Sequence, residues 1–486
     1  MGRETYSRRD FMKHLGLGAA GLTAAGTLLA PGAVAENSPA PPNILFIFSD
    51  QQRWDTLGCY GENMGRALGL TPNLDAMAGE GVRFNQAFTA QPVCGPTRSC
   101  LQTGLYATQT GCWQNNIPLP RDAVTLPRLL KPAGYDVGYI GKWHLASGGE
   151  AKLDYRDAPV PPDGRGGYDD FWLASDILEF TSHSYDGHMF DKDMNKVPFP
   201  KDRYRVDALT DFAVDYLRTR DGKRPFFLFL SYIEPHHQND HDDHFEGPRG
   251  SQEKYKNYPV PGDLEGAKGN WQAELPDYLG CCASLDSAVG RLRAELKRLK
   301  QDDNTLVIYA SDHACHFRTR NGEYKRSCQD NSIHVPLVVS GPGFRGGKAS
   351  DEMVSLMDLP PTIVSAGGVK PPEAMRGRAL QGLMDGSARR DWPDDVFVQI
   401  SESQTGRAVR TSRWKYSVRA PGGSAASADS YNEDFLYDLE KDPHERSNLV
   451  RDPALAGVRA ELGERLKRRM RHAGESEPKI LPAKEA

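Results

Sequence analysis

What this chain of 486 residues lacks narrows its chemistry first. It has no excess of positive charge: 60 Lys and Arg against 65 Asp and Glu leave a formal charge of −5. Nucleic acids and anionic membranes select a basic face, so neither is expected as a partner. No internal repeat is evident, which sets aside repeat architectures. The eight cysteines (59, 94, 100, 112, 281, 282, 315, 328) do not suggest a disulfide framework, and Cys281 and Cys282 are adjacent, poor partners for each other. The Gly/Ala/Leu-rich stretch from Leu15 to about Leu29 is short and glycine-laden for a bilayer span. Aromatics, at 9%, are near ordinary usage and decide nothing. What is present, 38% apolar and 26% charged residues, suits a soluble globular protein. The length exceeds one ordinary core, so a large domain plus a smaller one is expected.

The N-terminus carries an address. Ser7-Arg8-Arg9-Asp10-Phe11-Met12-Lys13 precedes the apolar stretch, and the small-residue site Ala33-Val34-Ala35 follows it. Paired arginines before Phe11 match the twin-arginine export pattern. The alternative is an uncleaved anchor; the glycines and short apolar length favour a signal peptide over residues 1–35. The mature chain would start near Glu36 and be periplasmic or secreted, without stable membrane insertion. Twin-arginine export carries folded proteins, so the chain would fold where thiols stay reduced. Most cysteines are then expected to be small buried apolar residues.

Five short apolar runs read as buried strands: Asn43–Phe48, Asp136–Ile140, Pro225–Leu230, Thr305–Tyr309 and Val335–Val339. Continuous apolar strands alternating with helices predict an α/β fold with a largely parallel sheet covered on both faces. The first run leads into Ser49-Asp50-Gln51, the second into Gly141-Lys142-Trp143-His144, the third into Glu234-Pro235-His236-His237 and the fourth into Ser311-Asp312-His313. Open α/β sheets bind ligands outside the carboxyl ends of their strands, so these four ends should meet at one crevice. Gly377–Asp395 reads as a connection. Beyond it, Val396–Ile400, Ala408–Arg410 and Trp414–Val418 resemble antiparallel strands, and Leu455, Val458, Leu462, Leu466 and Met470 share one helical face. The expected domains are 36–390, the larger, and 391–486, a C-terminal subdomain with a small antiparallel sheet and a helix.

Cys94-Gly95-Pro96-Thr97-Arg98, followed by Thr103-Gly104, resembles the signature of the type I, formylglycine-dependent sulfatases, Cys-x-Pro-x-Arg with a later Thr-Gly. Asn43–Gln51, Thr71–Asp75, Gly141–His144, Asp312-His313, Asp358–Thr362 and Leu436–Leu439 look like further family segments, in family order, over nearly the whole mature chain. The resemblance implies an alkaline-phosphatase-like fold: a mixed, mostly parallel sheet flanked by helices. It also implies that Cys94 is oxidised to formylglycine by a formylglycine-generating or sulfatase-maturing enzyme. A hydrated aldehyde offers one hydroxyl to attack the sulfur of a sulfate monoester and a second that expels sulfate by carbon–oxygen cleavage. Pro96 and the polar residues after it suggest a helix start, where free N–H groups favour an anion. The bland reading of Cys94 is a buried or unmodified thiol.

By the same resemblance, Arg98 would hold and orient a hydroxyl of the hydrate. Asp50, Gln51, Asp312 and His313, with the residue at 94, would hold a divalent metal. Their mostly hard oxygen donors suit calcium. Most family members carry a second Asp where Gln51 stands, which leaves manganese or magnesium open. Adjacent residues of a strand point to opposite faces, so each pair can share one ion only if its strand has ended there. Lys142 and His144 would share a face of an extended strand, with Trp143 on the other. Lys142 would bind sulfate and His144 act as the base for its release. His236 is the candidate general acid, with His237 as rival. Lys325 would be a second sulfate-binding lysine, with Arg326 the bland alternative. The run Tyr324–Asp330, His334 and Ala314 depart from the common pattern. Substrate selection is assigned less sharply, to a polar loop with Asp176, Glu179, His183, Tyr185 and His188, or to the His237–His244 stretch, which reads as a solvated, variable loop rather than a second metal site.

The reaction expected is hydrolysis of a sulfate monoester, with a sulfated carbohydrate as substrate class. A phosphonate monoester or phosphodiester hydrolase on the same scaffold is the alternative, since the Asp-Gln pair also occurs in that branch. From another class comes a non-catalytic binder of sulfated glycans.

Overall fold

Strand β1 (Asn43–Ser49) shows why the centre of this molecule forms a sheet covered on both sides. In the computed structural model, which describes residues 41–483, its Ile44, Phe46 and Phe48 enter one apolar core and Leu45 and Ile47 the other, all fully buried. A strand with no polar face can only lie between two layers. The other strands of this sheet are β2 (Val82–Phe88), β3 (Asp136–Lys142), β4 (Phe171–Ser175), β5 (Ser182–His183), β6 (Asp186–Asp191), β7 (Lys196–Pro198), β8 (Phe226–Ser231), β9 (Thr305–Ser311), β10 (Leu337–Ser340) and β11 (Lys348–Ser355). Their order is β11-β2-β10-β9-β1-β8-β3-β4-β6-β5, with β7 beside β6.

The central block β9-β1-β8-β3-β4 is parallel throughout. Helices Arg205–Thr219 and Trp271–Arg298 cover one face; helices Cys94–Thr103 and Leu359–Ala366 lie on the other. The fold is α/β, alkaline-phosphatase-like, with a mostly parallel central sheet and a separate sheet at the C-terminus. The fifth apolar run departs from the simple expectation: β10 runs antiparallel to both β9 and β2. An apolar run reports burial on two faces and is silent about direction, which the connection decides.

The second sheet has the order β12 (Asp395–Ile400), β13 (Gly406–Thr411), β14 (Trp414–Arg419), β15 (Ser430–Asp438) and β16 (Lys479–Leu481). It is antiparallel except for β15 and β16. Helix Ala456–His472 packs on it through Leu462, Leu466 and Met470. The same core takes in Cys100 and Tyr106 from the chain around the helix Cys94–Thr103, and from Pro41 onward the chain is one compact unit. The expected export segment, residues 1–35, lies outside the described residues. Among the described residues no helix is long and apolar enough to cross a membrane.

Candidate active site

The parallel block ends its strands on one side, and the chain breaks from extended geometry there. β1 stops at Ser49, and Gln51 takes a left-handed backbone, φ 72°, so Asp50 and Gln51 are freed from strand alternation. β9 stops at Ser311. Asp312 N–H donates to the Ser49 carbonyl at 3.2 Å, and Asp312 Oδ1 accepts from Gln51 N–H at 2.9 Å. The two strand ends are thus laced together before any metal is considered.

Cys94 is the first residue of its helix and is buried, 1% exposed. Its Sγ lies 3.5 Å from Asp50 Oδ1 and 3.5 Å from His313 Nε2 on one side. On the other, Lys325 Nζ donates to it at 2.9 Å and approaches His236 Nε2 at 3.0 Å. Burial and the Asp50 charge push the thiol up; Lys142, Lys325 and the hydrogen bond to His313 outweigh them and hold it at about 7.

Asp50, Cys94, Asp312 and His313 offer ligand atoms that all lie within 4.8 Å of one another. This buried cluster fits a metal site on three independent details. Asp312 Oδ2 and Gln51 Oε1 are buried without a hydrogen-bond partner. The His313 Nδ1 is 3.0 Å from the Ala314 carbonyl, which turns Nε2, the free lone pair, toward the cluster. Burial and the neighbouring Asp50 charge push the Asp312 carboxyl up to about 7, the repulsion a dication would cancel.

Arg98 is buried and donates to Asp50 Oδ2 at 3.0 Å, to the Lys142 carbonyl at 2.8 Å and to Ser231 Oγ at 2.6 Å. These bonds make it a strut between three strand ends, with none of them reaching Cys94. Lys142 Nζ sits between Asp50 Oδ2 and Glu179 Oε1, 3.0 Å from each. The extended-strand reading of Lys142 and His144 is corrected: β3 stops at Lys142, His144 turns left-handed at φ 57°, and Trp143 enters the apolar core. His144 still reaches the pocket. Its Nδ1 is buried without a partner, and burial and Lys142 lower its pKa to about 4.

His236 and His237 stack, ring centroids 4.1 Å apart. His236 Nδ1 is 2.5 Å from the His237 carbonyl, which leaves Nε2 as its working atom. Burial, Lys325 and His237 hold His236 well below the usual histidine range. His237 faces Gln51 Nε2 at 3.4 Å and Asn239 Nδ2 at 3.1 Å. His236, His237 and Asn239, with Cys94, His144 and Lys325, line a pocket of about 280 Å³.

Two residues offered for substrate selection prove to be buried. Asp176 accepts backbone N–H groups of Leu145, Ala146 and Ser147 at 3.0, 3.0 and 2.8 Å, fixing the turn after His144. Glu179 is the counter-charge of Lys142. His183, Tyr185 and His188 do not line the pocket; His188 pairs with Asp157 at 3.0 Å. In the 237–244 stretch, His241 and His244 pair with Glu246 and Glu274, while Asn239 and Asp243 join the pocket wall. Asn115, Arg318 and Tyr324 also line it. Tyr324 opens the run that departs from the family pattern, whereas nothing marked Asn115 or Arg318 in the sequence, because each lies in an irregular segment with ordinary spacing.

A buried cysteine at a helix start, beside a cluster fit for a dication and among lysines and histidines, suits a hydrolase for anionic esters on an alkaline-phosphatase-like scaffold. A family model described as Sulfatase matches residues 42–369, and one described as N-sulphoglucosamine sulphohydrolase, C-terminal, matches residues 322–472. The chain belongs to the sulfatase family and is a sulfuric ester hydrolase. It is 29% identical to the uncharacterized sulfatase YidJ of Escherichia coli (strain K12), over 87% of this chain and 86% of that one. It is 24% identical to an N-acetylglucosamine-6-O-sulfatase of Bacteroides thetaiotaomicron, over 90% and 88% of the two chains. A solved structure in complex with its substrate D-glucosamine-2-N,6-O-disulfate shares the fold, with TM-score 0.72, 21% identity, and coverage of 90% of this chain and 99% of that one.

Proposed function

We propose that the protein hydrolyses sulfate monoesters of a sulfated carbohydrate, with formylglycine made from Cys94 as nucleophile and calcium as the metal held by Asp50, Gln51, Asp312 and His313. The observation that carries this reading is the placement of Cys94 Sγ between the Asp50–His313 pair and the Lys325–His236 pair. The carbohydrate class rests on the relatives: the Bacteroides enzyme is an N-acetylglucosamine-6-O-sulfatase, and the structural neighbour holds a disulfated glucosamine. A twin-arginine leader over residues 1–35 would place the enzyme in the periplasm or outside the cell.

The formylglycine would supply a hydroxyl for attack at sulfur, and the cation would supply positive charge for sulfate oxygens and that hydroxyl. The chain's own residues do the rest. Lys325 directs its ammonium at the nucleophilic atom and, with Lys142, offsets the charge of an incoming sulfate. Asp50 and Glu179 fix Lys142, which is fully buried behind the pocket and acts on the site through its charge. Because burial and the surrounding cations disfavour its charged form, His236 is a strong acid once protonated, suited to giving a proton to the departing alcohol. His144, neutral near pH 7 by the same logic, is suited to accept one.

Three measurements test this. Mass analysis of the peptide bearing Cys94, from a host that matures sulfatases, should show formylglycine, and Cys94→Ala should abolish turnover of an aryl sulfate while leaving glycan binding. An intact thiol with full activity sinks the formylglycine mechanism. Faster turnover of an aryl phosphonate than of the matching aryl sulfate would favour the phosphonate branch.

A further inference from the structure

The loop between β12 and β13 reaches across from the C-terminal sheet to the catalytic pocket. Glu402, half-buried on that loop, accepts two hydrogen bonds with its two oxygens. Oε2 takes the backbone N–H of Asn115 at 3.0 Å, and Oε1 takes Arg326 Nη2 at 2.7 Å. Both partners line the pocket, although Glu402 does not. Asn115 then passes the restraint on: its Oδ1 accepts from the Gly95 N–H at 2.9 Å, next to the nucleophile. A Cβ at Gly95 would sit 3.0 Å from that oxygen and 3.3 Å from the His144 carbonyl, so this is a close approach. On the other arm Arg326 holds a left-handed backbone, φ 68°, and its carbonyl accepts from Ser403 Oγ at 3.3 Å. The residue before it is Lys325, whose Nζ is 2.9 Å from Cys94 Sγ.

We propose that Glu402 is a positioning residue for the sulfatase reaction, setting the separation between the nucleophile at 94 and Lys325 by tying together the two segments that carry them. The argument is geometric. One carboxylate spans a donor that leads to Gly95 and a donor adjacent to Lys325, and only a group with two acceptor oxygens on a side chain of this length can serve both. A glutamine keeps the shape but replaces one acceptor with a donor; an aspartate falls short by a methylene. A nucleophile displaced by about 1 Å loses roughly a hundredfold in rate, so a modest slackening of this tie should show in kcat. The inference rests on the nucleophile residing at position 94 and is independent of which sugar carries the sulfate.

The test is steady-state kinetics of Glu402→Gln on any aryl ester the wild-type enzyme turns over, with formylglycine content and thermal midpoint measured on the same preparations. The expected result is a fall of tenfold or more in kcat with KM within threefold of wild type, and unchanged maturation and thermal midpoint. Asn115→Ala, which cuts the tie at its other end, should show the same split, and the double variant should lose no more than the worse single one. Wild-type kcat in Glu402→Gln overturns the proposal. So do losses that multiply in the double variant, or a loss that only follows falling thermal midpoint or formylglycine content. An inactive wild type with a mature residue 94 would instead count against the proposed reaction, and the two failures are thereby distinguishable.

Discussion

Lys325 joins the two halves of the site, since one ammonium reaches both Sγ of Cys94, the proposed nucleophile position, and Nε2 of the proposed acid, His236. Removing it should cost more than a surface cation would. Lys325→Ala is expected to lower kcat/KM about a hundredfold to a thousandfold, the scale of losing one preorganised donor to developing charge. Lys325→Arg should rescue little, because a planar fork cannot place a single point charge between two acceptors. The comparison needs kinetics of both variants at matched thermal midpoints. At this scale the sequence was legible where chemistry restricts the residue type: Asp50, Cys94, Asp312 and His313 stand in motifs and do meet in space. Glu179 stood among five polar residues of one segment, and its 3.0 Å contact with Lys142 and its place on the pocket wall separate it from the others.

The elements matter through how they end. Arg98, Lys142 and Asp50 converge because β1, β3 and β8 are neighbours in register, with Gly141 opposite Ser231. Gly141 is there for want of space and for its backbone: φ is +106°, and an added Cβ would lie 1.9 Å from the Ser231 carbonyl oxygen. Gly141→Ala should therefore force β3 from β8, cost about 3 kcal/mol of stability, and displace the Lys142 carbonyl that Arg98 holds. Denaturant unfolding gives the stability, and kcat on an aryl sulfate should fall along with it. A stability within about 0.5 kcal/mol of wild type, the range of an unremarkable surface change, would count against this strain. The strands themselves were readable from apolar runs. The left-handed turns at Gln51 and His144 were not, because a positive φ is uncommon for any residue but glycine, and even histidine, which is enriched there, adopts it in a small minority of cases.

Over the whole molecule, buried ion pairs tie segments far apart in sequence. Arg53, two residues past Gln51, donates to Asp263 at 2.7 and 2.9 Å and also pairs with Asp55 at 2.6 Å. Burial pushes the Asp263 carboxyl up, and Arg53 outweighs it, holding the group at about 2. A carboxyl depressed in the fold contributes stability that is present above its unfolded value, about 3.9, and lost as pH falls through its folded one. Asp263→Asn should thus be less stable than wild type by about 2 kcal/mol near pH 7, with the gap closing between about pH 4 and pH 2. Urea unfolding of both proteins across that range checks it; a gap that persists undiminished at the acid end would show that the pair's charge is not the cause. Lys415, fully buried between Asp330 and Glu445, ties the C-terminal sheet to the catalytic body in the same manner.

The sequence by itself determined the motif residues, the strands that present them and the family, because apolar runs and short motifs are local properties of a chain. Only the tertiary structure decided that β10 runs backwards, that Arg98 braces Asp50 and the Lys142 carbonyl, that Glu179 neutralises Lys142, and that Glu402 reaches the pocket from the second sheet. Those are relations between segments tens to hundreds of residues apart. They depend on direction, register and separation in space, which no single segment encodes.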